Sequence, residues 1–155
     1  MAAPAPPLLI SLKPNYADLV FKGLKTAELR RRLARHLEDR DVYVYVSSPV
    51  RQLRGGFKIG QVWSGAPEEI WEMVSDLAGV SEAEFATYYK GRKIAYALEI
   101  LDVWEFAEPP TLARLRTKFP KFVVPQSYRY VRAQEIRSFC RLKRLDPHHL
   151  RSLAG

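Results

Sequence analysis

Cysteine is nearly absent from this chain, with Cys140 the single thiol among 155 residues. One thiol forms no internal disulfide, and with no Cys/His cluster around it a structural zinc site has no support. The reading is a cytoplasmic, reducing compartment and a protein with no metal and no cofactor. Long apolar runs are missing too. None approaches the roughly 20 residues that a bilayer-spanning helix needs, so no membrane partner is expected. The opening MAAPAPPLLISLKP has no positive charge before its apolar residues and is broken by prolines, which makes it a poor signal peptide. Residues 1–7 read as a flexible leader. Histidine is scarce: His36, His148 and His149 are the only three, and the adjacent pair reads as a solvated tail. Repeats and low-complexity segments are lacking as well.

What the chain does contain is enough for one domain, on a prior of roughly 100–200 residues per domain. A hydrophobic content of 47% with 27% charged residues excludes wholesale disorder. The net charge of +8 is segregated along the sequence. Residues 1–60 carry eleven Lys/Arg against five Asp/Glu, residues 61–110 three against ten, and residues 111–155 eleven against two. Basic segments flanking an acidic one fold naturally into a dipolar molecule whose positive face meets phosphates. The alternative is that acidic helices and basic strands simply pair on the surface.

The hydrophobic pattern alternates between strand and helix grammar. LLISL at 8–12 reads as a buried strand closed by Lys13-Pro14. Asn15 stands where a helix N-cap is expected, and Gly23 ends that helix. From Thr26 onward Ala27 and Leu29 face one side and Glu28 and Arg30 the other, the pattern of a strand with one polar face. DVYVYVSSP at 41–49 is a second strand, FKIGQVW at 57–63 a third beginning after Gly55-Gly56, and KIAYALEILDVWEF at 93–106 the longest. APEEIWEMVSDLAG reads as a helix with an apolar stripe of Ile70, Met73, Val74 and Leu77, stopped by Gly79. Ser81 and Glu84 form a capping box for the next helix, and Thr111 caps a short one over 112–118. KFVVPQSYRYV at 121–131 returns to extended character. Strands this numerous in one small domain gain most by closing on themselves, so the expected class is α+β, a small mixed β-barrel flanked by helices. Residues 132–155 read as a basic C-terminal extension, partly helical.

The stretch GLKTAELRRR, Gly23 to Arg32, concentrates the chemistry. Lys25 lies just past a helix end, while Glu28 and Arg30 share a strand face about 7 Å apart. In the functional reading Glu28 orients the two cations, which grip a phosphate or a base edge. In the bland reading this is a surface strand whose charges pair for under about 1 kcal/mol each.

ISLKPNYADLVFKGLKTAELRRR resembles the start of an ASCH domain, a PUA-like fold with a G-x-K-x-x-E-x-R signature, matched here by Gly23, Lys25, Glu28 and Arg30. VYVYVSSP and VPQSYRYV resemble two further segments of that family, and the likeness spans residues 8–131. It implies a β-barrel with helices at its edges and a cleft, lined by the signature, that receives RNA or a nucleotide, with roles in transcription or translation. In a branch of the family that deacylates acetylated cytidine, the nucleophile is a threonine at the place of Glu28. Glu28 is no equivalent, and Thr26 is one side-chain step away. A ribonuclease branch relies on the signature lysine with tyrosine and serine residues, for which Tyr16, Ser47, Ser48 and Ser127 are the companions at hand.

Single-stranded RNA or a nucleotide is expected to bind a basic cleft formed by Lys13, Lys25, Glu28, Arg30, Ser47, Ser48, Gln126, Ser127, Tyr128 and Arg129. If the cleft is catalytic, Lys25, Glu28, Tyr16 and Ser127 carry the reaction. Tyr128-Arg129-Tyr130 alternates ring, cation and ring, the mixture used to stack unpaired bases. A protein partner reaches the molecule through the basic C-terminal extension.

Overall fold

The computed structural model describes residues 5–145. In chain order the elements are β1 (Leu8–Leu12), α1 (Pro14–Phe21), β2 (Ala27–Arg30), β3 (Asp41–Val46), β4 (Gln52–Gly65), α2 (Pro67–Val74), α3 (Glu82–Tyr88), β5 (Ala95–Glu105), α4 (Leu112–Lys118), β6 (Tyr128–Tyr130) and α5 (Ala133–Phe139). The strands form one sheet in the order β2-β5-β4-β3-β1-β6. β1 and β3 run parallel, which the helix α1 and the β2 excursion make possible; every other pair is antiparallel. The result is a mixed α+β architecture, a six-stranded curled sheet shaped as half a barrel with helices at its edges.

Alternation in β1 and β3 explains why both faces of the sheet are covered. Leu8, Ile10, Leu12, Val42, Val44 and Val46 point inside the curl, where they meet Phe57, Ile59 and the buried Ala17 and Val20 of α1. Leu9, Tyr43 and Tyr45 point outward into a second core with Phe106, Leu115, Phe122 and Phe139. A third core joins Ala27 and Leu29 of β2 to Ile70, Val74, Phe85 and Tyr89 from α2, α3 and the turn after it. Each fully buried aliphatic side chain contributes about 1.5–3 kcal/mol, so the three cores together fix the helices onto the sheet. The stretch after residue 131 takes part as well: Phe139 of α5 packs against Tyr43 with ring centroids 5.2 Å apart, and Phe106 bridges to Arg144.

Several local expectations hold. Ser81 and Glu84 form the capping box, Thr111 accepts from the Arg114 N–H, and Gly23 and Gly79 adopt φ of +75° and +67° past their helix ends. Others need correction. The first helix begins two residues earlier than an Asn15 N-cap implied, with Lys13 as N-cap and Pro14 in the first turn, where its fixed φ is suitable and its missing N–H costs nothing. β4 does not begin after the glycine pair but runs through it from Gln52, because Gly55 and Gly56 are where β3 and the Trp104 region of β5 press closest. In α2 the stripe is narrower than its spacing suggested: Ile70 and Val74 are buried, whereas Met73 is 50% and Leu77 36% exposed. The helix ends at Val74, so Leu77 no longer follows helical phase. Within 121–131 only Tyr128–Tyr130 pairs as a strand. The histidine pair at 148–149 lies outside the described residues, and no helix among the described residues is long and apolar enough to cross a membrane.

Candidate functional site

Because β2 and β6 are the two ends of the sheet, its curl leaves a seam between them. One side chain spans it: Arg30 Nη1 of β2 donates to Ser127 O, next to β6, at 3.2 Å. A cleft of about 660 Å³ opens at this seam. Its walls are β2 from Glu28 to Arg30, the end of β1 from Ser11 to Lys13, Tyr16 of α1, Gln126, and Glu84, Phe85 and Tyr88 of α3.

Three charged residues lie in it almost without solvent, Lys25 at 3%, Glu28 at 7% and Arg30 at 7% exposure. Burying charges costs several kcal/mol each unless partners replace water, and here the replacement is incomplete. Lys25 Nζ donates to Ala27 O at 2.9 Å and to Ala78 O, and stands 3.6 Å from Glu28 Oε2. Glu28 Oε1 is 3.3 Å from Arg30 Nη2. Two atoms remain with no hydrogen bond, the acceptor Glu28 Oε2 and the donor Arg30 Nε. An unmade buried hydrogen bond costs about 1–3 kcal/mol, more for a charged group. A ligand that offers a donor beside an acceptor recovers that energy.

Burial pulls the Lys25 ammonium below the ordinary lysine value of 10.5, with the Glu28 carboxylate opposing the fall. Below its lowered pKa, Lys25 is charged in both folded and unfolded chains and burial penalises the fold. As pH rises through that pKa toward 10.5 the folded chain sheds the proton first, so stability rises across this window. Lys25→Met should abolish the rise; urea midpoints of the two proteins compared between neutral and alkaline pH measure it, and parallel profiles would contradict it.

The rim is tied across the elements. Tyr16 O–H donates to Glu84 Oε2 at 2.9 Å, linking α1 to α3, while Glu84 Oε1 accepts from Ser81 N. The Ser81 main chain and then the Tyr16 hydroxyl hold the Glu84 carboxyl below its ordinary value of 4.5. Arg31 Nε donates to Tyr88 O at 2.8 Å, which lays its guanidinium 4.3 Å from the Tyr88 ring centroid.

Of the residues singled out from sequence, Lys13, Tyr16, Lys25, Glu28, Arg30 and Gln126 meet in the cleft. Ser127 contributes its carbonyl to Arg30 and is an exposed residue outside the cleft walls. Ser47 and Ser48 are not among the cleft walls; Ser47 N donates to Leu12 O in the turn after β3. Tyr128 is half-buried against the inner core. Arg129 is not among the cleft walls and is engaged within the fold. Its guanidinium makes two 2.9 Å bonds to Glu135, donates from Nε to Val123 O and lies over Phe122. The physical reason is Glu135, 1% exposed, which needs a counter-charge. Burial opposes its ionisation, yet Arg129 and the Arg132 main chain outweigh that and hold it below 4.5. Sequence reasoning missed Glu84, Arg31 and Tyr88 as cleft residues. Glu84 was legible only as a cap, since nothing local shows that α3 lies beside α1.

Comparison with known proteins places this geometry. An ASCH domain family model matches residues 10–110. An ASCH domain-containing ribonuclease of Zymomonas mobilis is 28% identical over 127 residues, 82% of this chain and 85% of that protein. The crystal structure of ASCH from Zymomonas mobilis superposes with a TM-score of 0.80 at 26% identity, over 86% of this chain and 92% of that one. That organism's protein is also solved with a tyrosine changed to phenylalanine and with a serine changed to alanine, at TM-scores of 0.82 and 0.81. A large ribosomal subunit protein uL22 of Ureaplasma parvum is 29% identical over 73% of this chain, which spans only 37% of that relative. With a family model over most of its length and the same curled sheet as the Zymomonas structure, the chain belongs to the ASCH domain family.

Proposed function

We propose that the protein binds single-stranded RNA at the seam cleft, with one nucleobase entering edge-on toward Glu28 and Arg30. The observation that carries this reading is the pair of buried, unbonded atoms, acceptor Glu28 Oε2 and donor Arg30 Nε, in a cleft large enough for one nucleotide unit. A base edge places a donor beside an acceptor, and the desolvated carboxylate and guanidinium reward that match. Exposed Lys13 and Arg31 at the rim are positioned for phosphate, and the free face of the Arg31 guanidinium is a platform for a stacked base. Lys25 acts differently from the gripping cation its spacing suggested: its ammonium is directed to two main-chain carbonyls and Glu28, so it sets the position of Glu28. The ribosomal relative supports a setting in translation.

Affinity for a labelled oligouridylate should fall with salt with a log–log slope near −0.7 per phosphate neutralised. Lys13→Ala with Arg31→Ala should weaken binding and flatten the slope by about 1.4, as two cations at about 0.7 each. Binding indifferent to salt and to both changes would sink the reading.

A second reading has its own observation. Lys25, held below the ordinary lysine range, shares the cleft with Glu28 and Tyr16, and the Zymomonas relative bears the name ribonuclease. Metal-free cleavage moves the 2′-hydroxyl proton to a base as the 2′-oxygen bonds to phosphorus. The 5′-oxygen then leaves with a proton from an acid, and a cation stabilises the intervening charge. Glu28 Oε2 is the base at hand, Lys25 the proton donor and Arg30 the cation, with the Tyr16 hydroxyl at the rim. Incubating the protein and its Lys25→Met form with labelled single-stranded RNA separates the readings: cleavage lost in the variant establishes the enzyme, and binding without turnover establishes the module.

A further inference from the structure

The segment 111–145 holds ten Lys/Arg and a single carboxylate, Glu135, which is buried and consumed by Arg129. The remaining cations have no carboxylate partner within 4.0 Å among the described residues. Three of them line a second groove of about 590 Å³ between α4 and the end of α5, which lies over the outer core of the sheet and shares no residue with the seam cleft. Arg114, Lys118 and Lys143 stand on its rim, Phe119 and Leu142 in its floor, and Glu108 is the one carboxylate among its described walls. Arg114 and Lys118 are four residues apart on α4 and so project one above the other along one side. The walls are fixed by main-chain bonds, Leu53 N to Pro110 O and Leu112 N to Arg51 O at one side, Ala107 N to Lys143 O at the other. The family model ends at residue 110, so most of this groove is built from chain beyond the matched segment.

We propose that this groove is a second, sequence-independent docking site for the phosphodiester backbone of RNA. Charge complementarity chooses the occupant. An acidic peptide needs cations only where its carboxylates fall, usually interleaved with acids of the host surface, whereas a nucleic-acid backbone carries charge at every unit and selects an uninterrupted cationic surface. The surface from α4 through Arg144 comes closer to the second kind, since Glu108 is the one carboxylate among the groove's described walls and exposed Arg137 and Arg141 extend the cations past it. The half-buried Phe119 ring is available to an unpaired base in the same strand. Backbone docking here does not depend on the seam cleft, and the two sites are separable by mutation.

The test is binding of a labelled oligouridylate as a function of salt to the full chain and to two variants. Arg114→Gln/Lys118→Gln/Lys143→Gln alters only exposed side chains, so the fold persists, as its melting curve checks. The expected result is an affinity loss of tenfold or more at low salt and a log–log slope flatter by about 2, from three cations at about 0.7 each. Arg31→Ala tests the seam separately. A triple variant with the parent slope overturns the groove proposal while leaving the seam reading intact. A triple variant that loses slope upholds the groove, whatever Arg31→Ala does at the seam. Displacement of the RNA by polyglutamate at equal charge concentration marks the surface as a site for acidic protein and overturns the proposal.

Discussion

Glu28→Ala should destabilise the protein by about 3–5 kcal/mol, the cost of leaving buried charge without its counter-ion. Glu28 is the only carboxylate within 4.0 Å of Lys25 and of Arg30 among the described residues. Without it two buried cations face each other across the floor of the cleft, with main-chain carbonyls as their remaining acceptors. Equilibrium unfolding in urea measures the loss as a fall in midpoint at unchanged m-value. Adding Lys25→Met to Glu28→Ala should return part of the stability, because one of the stranded charges is then gone, and the double-mutant cycle gives the coupling directly. A loss below about 1 kcal/mol, the range of an exposed ion pair, would show that water reaches the cluster and would weaken the case for two desolvated, unbonded atoms as the recognition element. The prediction therefore tests the site and the stability of the seam together.

The second large effect lies in the middle of the sheet. A Cβ at Gly55 would meet the Trp104 carbonyl and come within 2.8 Å of Glu105 Cα, while one at Gly56 would meet the Val42 carbonyl and lie 2.7 Å from Trp104 Cζ2. At Gly55 every obstacle is main chain of the paired strand, which cannot turn aside as a side chain does. Gly55→Ala should therefore cost at least the roughly 1–3 kcal/mol typical of overpacking. Gly56→Ala should cost about the same, because the Val42 carbonyl remains in the way even where the Trp104 indole yields. For a domain of this size each kcal/mol lowers the melting temperature by about 2–4 °C, which thermal unfolding followed by circular dichroism resolves. Gly55→Ala at parental stability would mean that β4 and β5 separate at this point without penalty, contrary to their close pairing. Because β3 and β5 hold β1 and β2 respectively, loosening this crossing also shifts the two sides of the cleft.

Much of the local structure was legible because it depends on neighbours along the chain. Ser81 and Glu84 are three residues apart and cap each other wherever the helix is placed, and the alternation of Val42 to Val46 with Tyr43 and Tyr45 makes a strand in any fold. The misread elements depended on distant partners. The glycine pair looked like a break before a strand, yet it is the point where three strands approach most closely, and only the position of Trp104 reveals that. Arg129 between two tyrosines looked like a free cation, yet Glu135, six residues on, takes it because α5 folds back under β6. Ser47 and Ser48 follow the end of β3, where Ser47 N bonds to Leu12 O beside the cleft, yet neither joins the cleft walls, and their hydroxyl chemistry carried no information about that.

The sequence by itself determined the elements, the segregated charge and the Gly23, Lys25, Glu28, Arg30 constellation, since helical and strand periodicity place those side chains a few ångström apart whatever surrounds them. It could not determine that the constellation is buried, that Glu28 Oε2 and Arg30 Nε are left without a hydrogen bond, or that Ser127 lies opposite. Those facts come from the strand order β2-β5-β4-β3-β1-β6, which puts residues nearly one hundred positions apart at the two ends of one curled sheet. Curvature brings the ends together, the missing strand pair between them leaves the cleft, and the same enclosure that removes water from three charges makes them worth matching.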